Sequence, residues 1–194
     1  MTNYTRWINL NESYDDRIAF MSRYIERDSS ILDMGAGALA LKKYLPPGCL
    51  YQPCDIVARD ATTIVCDFNK KEYPPLKHYD VVFCSGLLEY IEDLPSFLKQ
   101  ACHYSQRFII SYVAVRGRSR KRIRKREGLD WVNHYSFWQM VKILFTSGFD
   151  IINVEDFAGQ KIFLLEKLKV NQPKAGWFEI GRVLWIDFIN RGKH

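Results

Sequence analysis

Short apolar runs alternate along the chain with stretches where apolar residues recur every three or four positions, as in buried strands separated by covering helices. Residues 31–34, 50–54, 63–66, 79–84 and 107–115 read as strands, the clearest being Tyr79-Asp80-Val81-Val82-Phe83-Cys84. Helical spacing appears over 15–26, where Ile18, Ala19, Met21 and Ile25 fall near one face, and again over 38–45, 94–104 and 135–147. Pro46-Pro47-Gly48 stops the second of these and Gly148 caps the last. Residues 149–156 and 161–167 form a final β-rich pair, joined through Phe157-Ala158-Gly159-Gln160 as a hairpin. Strand–helix alternation predicts an α/β domain with a mostly parallel sheet and helices on both faces.

At 194 residues the chain has the length of one domain. We divide it into a domain over 1–170, with a ligand-binding core at 31–167, and an aromatic-rich helical tail over 171–194. Hydrophobic residues at 47% and charged ones at 26% match a soluble globular protein and exclude disordered, collagen-like and disulfide-knot classes. No apolar run approaches a membrane span, and the first ten residues lack a secretory layout, so a cytoplasmic location is expected. The five cysteines, without a CxxC pair or metal-ligand spacing, read as reduced and mostly buried thiols.

The net charge of +6 sits in one place. Residues 116–126 carry eight basic and no acidic side chains, so the remainder is slightly acidic, and a partner drawn by charge meets this strip alone. We read 116–130 as a basic loop.

The sharpest local signal is Ile31-Leu32-Asp33-Met34-Gly35-Ala36-Gly37-Ala38, a strand entering a glycine turn. Such a turn lets the backbone approach a ligand closely. Twenty positions after Gly35, Asp55 and then Ile56 close the next strand, where a carboxylate can accept both hydroxyls of a ribose. The spacing Gly35-x-Gly37-x-x-Ala40 also satisfies a dinucleotide fingerprint. Asp33 opposes that reading, because its charge would repel a pyrophosphate yet suits a ligand bearing an amino group. Pro74-Pro75 likewise breaks the helix that a Tyr73/Lys77 dehydrogenase pair requires, and no GxxxxGK[ST] loop is present. Asp67-Phe68 after the third strand can hold an adenine amine and pack on the base, and Ser85-Gly86 ends the fourth.

Over residues 31–167 these stations together resemble the class I S-adenosylmethionine-dependent methyltransferases. The resemblance implies a Rossmann-like, seven-stranded sheet with an antiparallel last strand. It also implies S-adenosylmethionine as cofactor: Asp33, Gly35, Ala36 and Gly37 at its methionine part, Asp55 and Ile56 at the ribose, Asp67 and Phe68 at the adenine, and Ser85 and Gly86 beside them. Leu88-Glu89-Tyr90 resembles the Leu-Glu-His segment of small-molecule members, with Tyr90 where histidine is common; Ala38 replaces a frequent third glycine.

An activated methyl needs chiefly an acceptor held in line and, for a hydroxyl acceptor, a group that takes its proton. His134 is the first candidate and Glu89 the second. The reading is O-methyl transfer to a small-molecule or saccharide-like acceptor, with Trp131, His134, Tyr135 and Trp138 suited to packing on a sugar. The basic strip would draw an anionic acceptor. Alternatives are an RNA methyltransferase acting through 116–126 and a non-catalytic cofactor-binding or regulatory protein. In the tail, Trp177, Ile180, Leu184 and Phe188 share a helical face fit for a core, a homodimer contact or a peripheral membrane surface.

Overall fold

The computed structural model describes residues 15–117 and 119–168. The tail assigned to 171–194 lies outside them. Within the described residues, strands β1 (Ser30–Met34), β2 (Leu50–Asp55), β3 (Ile64–Val65), β4 (Val81–Cys84), β5 (Arg107–Tyr112), β6 (Phe149–Phe157) and β7 (Gln160–Lys167) form one sheet. Its order is β3-β2-β1-β4-β5-β7-β6. The first five strands pair in parallel, while β7 runs antiparallel to both β5 and β6. Ala158 and Gly159, both with positive φ, make the two-residue turn that joins the last pair.

The sheet is apolar on both faces because helices cover both. In β4, Val82 and Cys84 join one core with Phe97, Phe108, Met140, Leu144 and Phe149, while Val81 and Phe83 join the other with Ile18, Met21, Ile31 and Leu41. Helices α2 (Leu94–Ala101) and α4 (Phe137–Thr146) supply the first core, and α1 (Asp15–Ser22) supplies the second. Asp93 caps α2 through the Ser96 N–H, and Ser136 with Gln139 forms a reciprocal capping box on α4. Four of the five cysteines are buried and all are free thiols. Among the described residues no helix is long and apolar enough to cross a membrane.

The elements differ from the sequence expectation in three places. The helix expected over 15–26 ends as α1 at Ser22, and that over 38–45 is a short 3-10 helix, Ala40–Tyr44, which Leu39 enters with a left-handed backbone. The proline pair at 46–47 leaves no room for an α-helix to propagate. The third difference is larger: the basic segment expected as a loop contains α3 (Arg120–Glu127), started by Ser119, whose side chain accepts from the Arg122 N–H, and stopped at Gly128.

Candidate active site

Strand order reverses between β1 and β4, and the crevice at the C-terminal ends of the strands there is where open α/β sheets bind ligands. A cavity of about 590 Å³ occupies it, within the range of small-molecule sites. Asp33, Gly35, Ala36, Gly37, Asp55, Ile56, Asp67, Phe68, Ser85, Gly86 and Glu89 all line this cavity.

The glycine turn is held on the end of β2, because the Gly35 and Ala36 N–H groups both donate to the Cys54 carbonyl, at 2.8 and 3.1 Å. Gly35 has φ of +78°, and a Cβ there would lie 3.0 Å from the Leu87 side chain; both the turn and its packing therefore require glycine. The Gly37 N–H donates to Asp55 Oδ2 at 2.8 Å and the Val57 N–H to Oδ1 at 3.1 Å, with the Arg59 guanidinium 3.5 Å from Oδ1. These bonds fix the carboxylate while leaving acceptor capacity on its oxygens.

Asp33 is buried and accepts from the Tyr51 hydroxyl at 2.7 Å. Burial, with the charge of Asp55 adding to it and the Tyr51 bond opposing it, pushes the Asp33 carboxyl up to about 7. A carboxyl so placed gains from a cation, and an α-amino group supplies one. Asp67 caps the turn Phe68–Lys70 by accepting from the Asn69 N–H. The Phe68 ring, expected to pack on a base, packs edge-on against Phe97 with centroids 5.1 Å apart and also meets Tyr73, so much of it belongs to the core.

Across the cavity the site is built from groups far apart in sequence. Arg17 of α1 reaches over β4, donating from Nε to Ser85 Oγ at 2.8 Å and from Nη1 to Gln160 Oε1 at 3.0 Å. Gly86 makes room for it, since a Cβ there would fall 2.6 Å from the guanidinium. Glu89 is 1% exposed; its Oε1 accepts from the Val113 N–H at 2.7 Å, and its Oε2 has no hydrogen-bond partner among the described residues. Burial pushes the Glu89 carboxyl up, against the Val113 bond and the charges of Arg17 and Arg126.

His134 does not line this cavity. It borders a separate hollow of about 280 Å³ with Val115, Gly117, Ser136 and Gln139, and its Nδ1 accepts from Arg126 Nε at 3.2 Å. Burial first, and then the charge of Arg126, hold the imidazole below its ordinary pKa. Of the aromatic residues expected to meet a sugar, Trp131 lines the large cavity; Tyr135 packs on the first core, and Trp138 is 44% exposed.

Reasoning from sequence missed Arg17, Arg126 and Asn133. Arg126, counted in the basic strip, is buried and donates to the Val113 and Asn133 carbonyls, at 2.7 and 3.2 Å, with its guanidinium over the Trp131 ring. Asn133 in turn donates to the Leu88 and Ile91 carbonyls and accepts from the Tyr112 hydroxyl. Together they fasten the rim at Asp130 and Trp131 to the ends of β4 and β5.

The donor set suits S-adenosylmethionine: a carboxyl poised for an amino group, a fixed carboxylate with capacity for ribose hydroxyls, and a cavity with volume for a nucleoside. A family model described as "Methyltransferase domain" matches residues 6–154. No curated protein matches the chain. Among solved structures, the chain is similar to the putative methyltransferase in complex with the Trm112 methyltransferase activator of Haloferax volcanii, with TM-score 0.66 and 12% identity, over 88% of this chain and 98% of that one. A SAM-dependent methyltransferase from Aquifex aeolicus gives TM-score 0.60 and 14% identity over 82% and 94%. CalO1, a methyltransferase of calicheamicin biosynthesis in its SAH-bound form, gives 0.61 and 15% over 80% and 54%. The chain thus spans about half the length of CalO1, as it does of mitomycin 7-O-methyltransferase. By its matched domain, its sheet and the residues gathered at the switch point, the chain belongs to the class I S-adenosylmethionine-dependent methyltransferases.

Proposed function

We propose that the chain transfers a methyl group from S-adenosylmethionine to a hydroxyl of a small, saccharide-like acceptor, with Glu89 taking the proton. One observation carries this reading: a buried carboxylate oxygen, Glu89 Oε2, without a hydrogen-bond partner among the described residues, on the cavity that also holds Asp33 and Asp55. An unpartnered buried acceptor is costly, and a hydroxyl donor from the acceptor relieves that cost.

When bound, the cofactor supplies an electrophilic methyl on a sulfonium centre, so the protein's task is to orient and to exclude water. Asp33 would bind the amino group. Asp55 and Ile56 would hold the ribose, and Asp67 and Phe68 the adenine. On the far side Glu89 accepts the acceptor's hydroxyl proton, its raised pKa making it a better base than an exposed carboxylate. Trp131 offers an aromatic face to the acceptor ring. His134 serves through Arg126 as a positioning residue for this rim.

The test is a screen of hydroxyl-bearing acceptors, nucleotide-linked sugars first, in which mass spectrometry reads the gain of one methyl and chromatography reads S-adenosylhomocysteine. Equal formation of both with a saccharide, lost in Glu89→Gln, is the expected result. Methylation only of amines would overturn the oxygen assignment.

A further inference from the structure

Helix α3 contradicts its own local electrostatics. Arg120, Lys121 and Arg122 fill the first turn, where the helix dipole disfavours positive charge, and no acidic residue balances them there. Arg120 with Arg124, and Lys121 with Lys125, set like charges four residues apart on one face. None of these side chains forms a salt bridge among the described residues, and all are exposed.

The helix stands nonetheless, because its N-terminus is capped and buried Arg126 ties its last turn to β5 and to the cavity rim. At 100° per residue, Arg126 points inward while Arg120, Lys121, Arg124 and Lys125 spread over the outward half. A capped and anchored helix that holds repelling charges outward conflicts with stability alone, and such conflicts mark function. Nearby in the chain, Val132, next to rim residue Trp131, and Trp138, next to Gln139 of the hollow lined also by Val115 and Gly117, are each 44% exposed.

We propose that α3 docks the chain on an anionic lipid bilayer, with Val132 and Trp138 entering the interface beside it. Charge complementarity gives the attraction, at roughly fivefold in affinity for each basic residue near an anionic surface. The exposed aliphatic side chain of Val132 favours a bilayer over a nucleic acid, since an interface rewards such a contact and phosphates do not. The docked face adjoins the rim at Asp130 and Trp131, so an acceptor with an anionic head group in the membrane meets the cavity directly. This last consequence rests on the methyl-transfer reading above; the docking does not.

The experiment is flotation of the full chain with vesicles of phosphatidylcholine alone or mixed with phosphatidylglycerol, at low and physiological salt, with single-stranded RNA as competitor. The variant is Arg120→Gln/Lys121→Gln/Arg124→Gln/Lys125→Gln, with Lys121→Gln/Lys125→Gln as a milder second, each checked for unchanged S-adenosylmethionine affinity. Binding to the mixed vesicles only, weakened at least about tenfold in the fourfold variant and less in the double one, is expected. Equal binding to neutral vesicles, or unchanged binding by the variants, overturns the proposal. Preference for RNA over vesicles does so too and assigns the helix to nucleic acid. A chain that floats with anionic vesicles but transfers no methyl group contradicts the proposed function and leaves the docking intact.

Discussion

Where the cavity meets the glycine turn, its polar groups come from residues 33–37 and 55, with the turn and Asp55 held by backbone bonds and Asp33 by the Tyr51 hydroxyl, all from two neighbouring strands and the turns that end them. Where it meets β4 and β5, they come from Arg17, Glu89 and Trp131, and their supports lie far off in sequence: Arg17 reaches a partner 143 residues away, and Asn133 holds Leu88 and Ile91. The first half is a backbone cradle whose chemistry the turn itself dictates. The second is a side-chain assembly that depends on Arg126 and Asn133 keeping a loop in place. One fold can thereby keep a fixed cofactor half while its acceptor half varies through a few distant residues.

This contrast can be broken most sharply at Glu89. Glu89→Gln is expected to lower kcat by roughly a hundredfold or more while leaving S-adenosylmethionine affinity unchanged, as removal of a proton acceptor should. Steady-state kinetics beside calorimetry checks it; a matching loss of cofactor affinity would place Glu89 in the other half.

Arg126→Met comes next in size. It strips the half-buried Val113 and buried Asn133 carbonyls of a donor and should cost about 2–3 kcal/mol of stability. Trp131 fluorescence should shift as its covering guanidinium is lost, with cofactor affinity changed little. Denaturant unfolding and fluorescence spectra measure both.

Asp33 sharpens the comparison through pH. Its folded pKa of about 7 lies above the ordinary carboxylate value, so the fold favours the protonated form. Its contribution to stability is lost as pH rises toward 7. A cationic amino group favours the ionised form, so cofactor affinity should instead strengthen, by up to about tenfold between roughly pH 6 and pH 7.5, and weaken again above about pH 8 as the amino group loses its proton. Asp33→Asn should flatten that profile and bind weakly throughout. The smallest effect belongs to His134: His134→Gln should change kcat by less than about threefold, because the imidazole borders the smaller hollow and is held below its ordinary pKa.

The same contrast decides what could be read from the sequence. Asp33, Gly35, Gly37 and Asp55 were legible because strand, turn and next strand follow one another at a fixed spacing, and parallel pairing of β1 with β2 brings them together. Arg17 gave no signal, since its partners Ser85 and Gln160 become neighbours only when the sheet closes. The basic segment misled for another reason: eight like charges mask the Ser119 cap and Gly128 stop that frame α3, and composition does not distinguish buried Arg126 from its exposed neighbours. Those cap residues, nine positions apart with the eight-residue helix between them, were the available clue. His134 has suitable chemistry and stands near the rim in sequence, yet the chain turns it toward Arg126.

The most direct measurement is calorimetric titration of S-adenosylmethionine into the full chain, into Asp55→Ala and into Glu89→Gln. The account predicts micromolar binding to the first, loss of at least about a hundredfold in Asp55→Ala, and unchanged affinity in Glu89→Gln. Absent binding to the unaltered chain, or an equal loss in both variants, would contradict the division of the cavity into a cofactor half and an acceptor half.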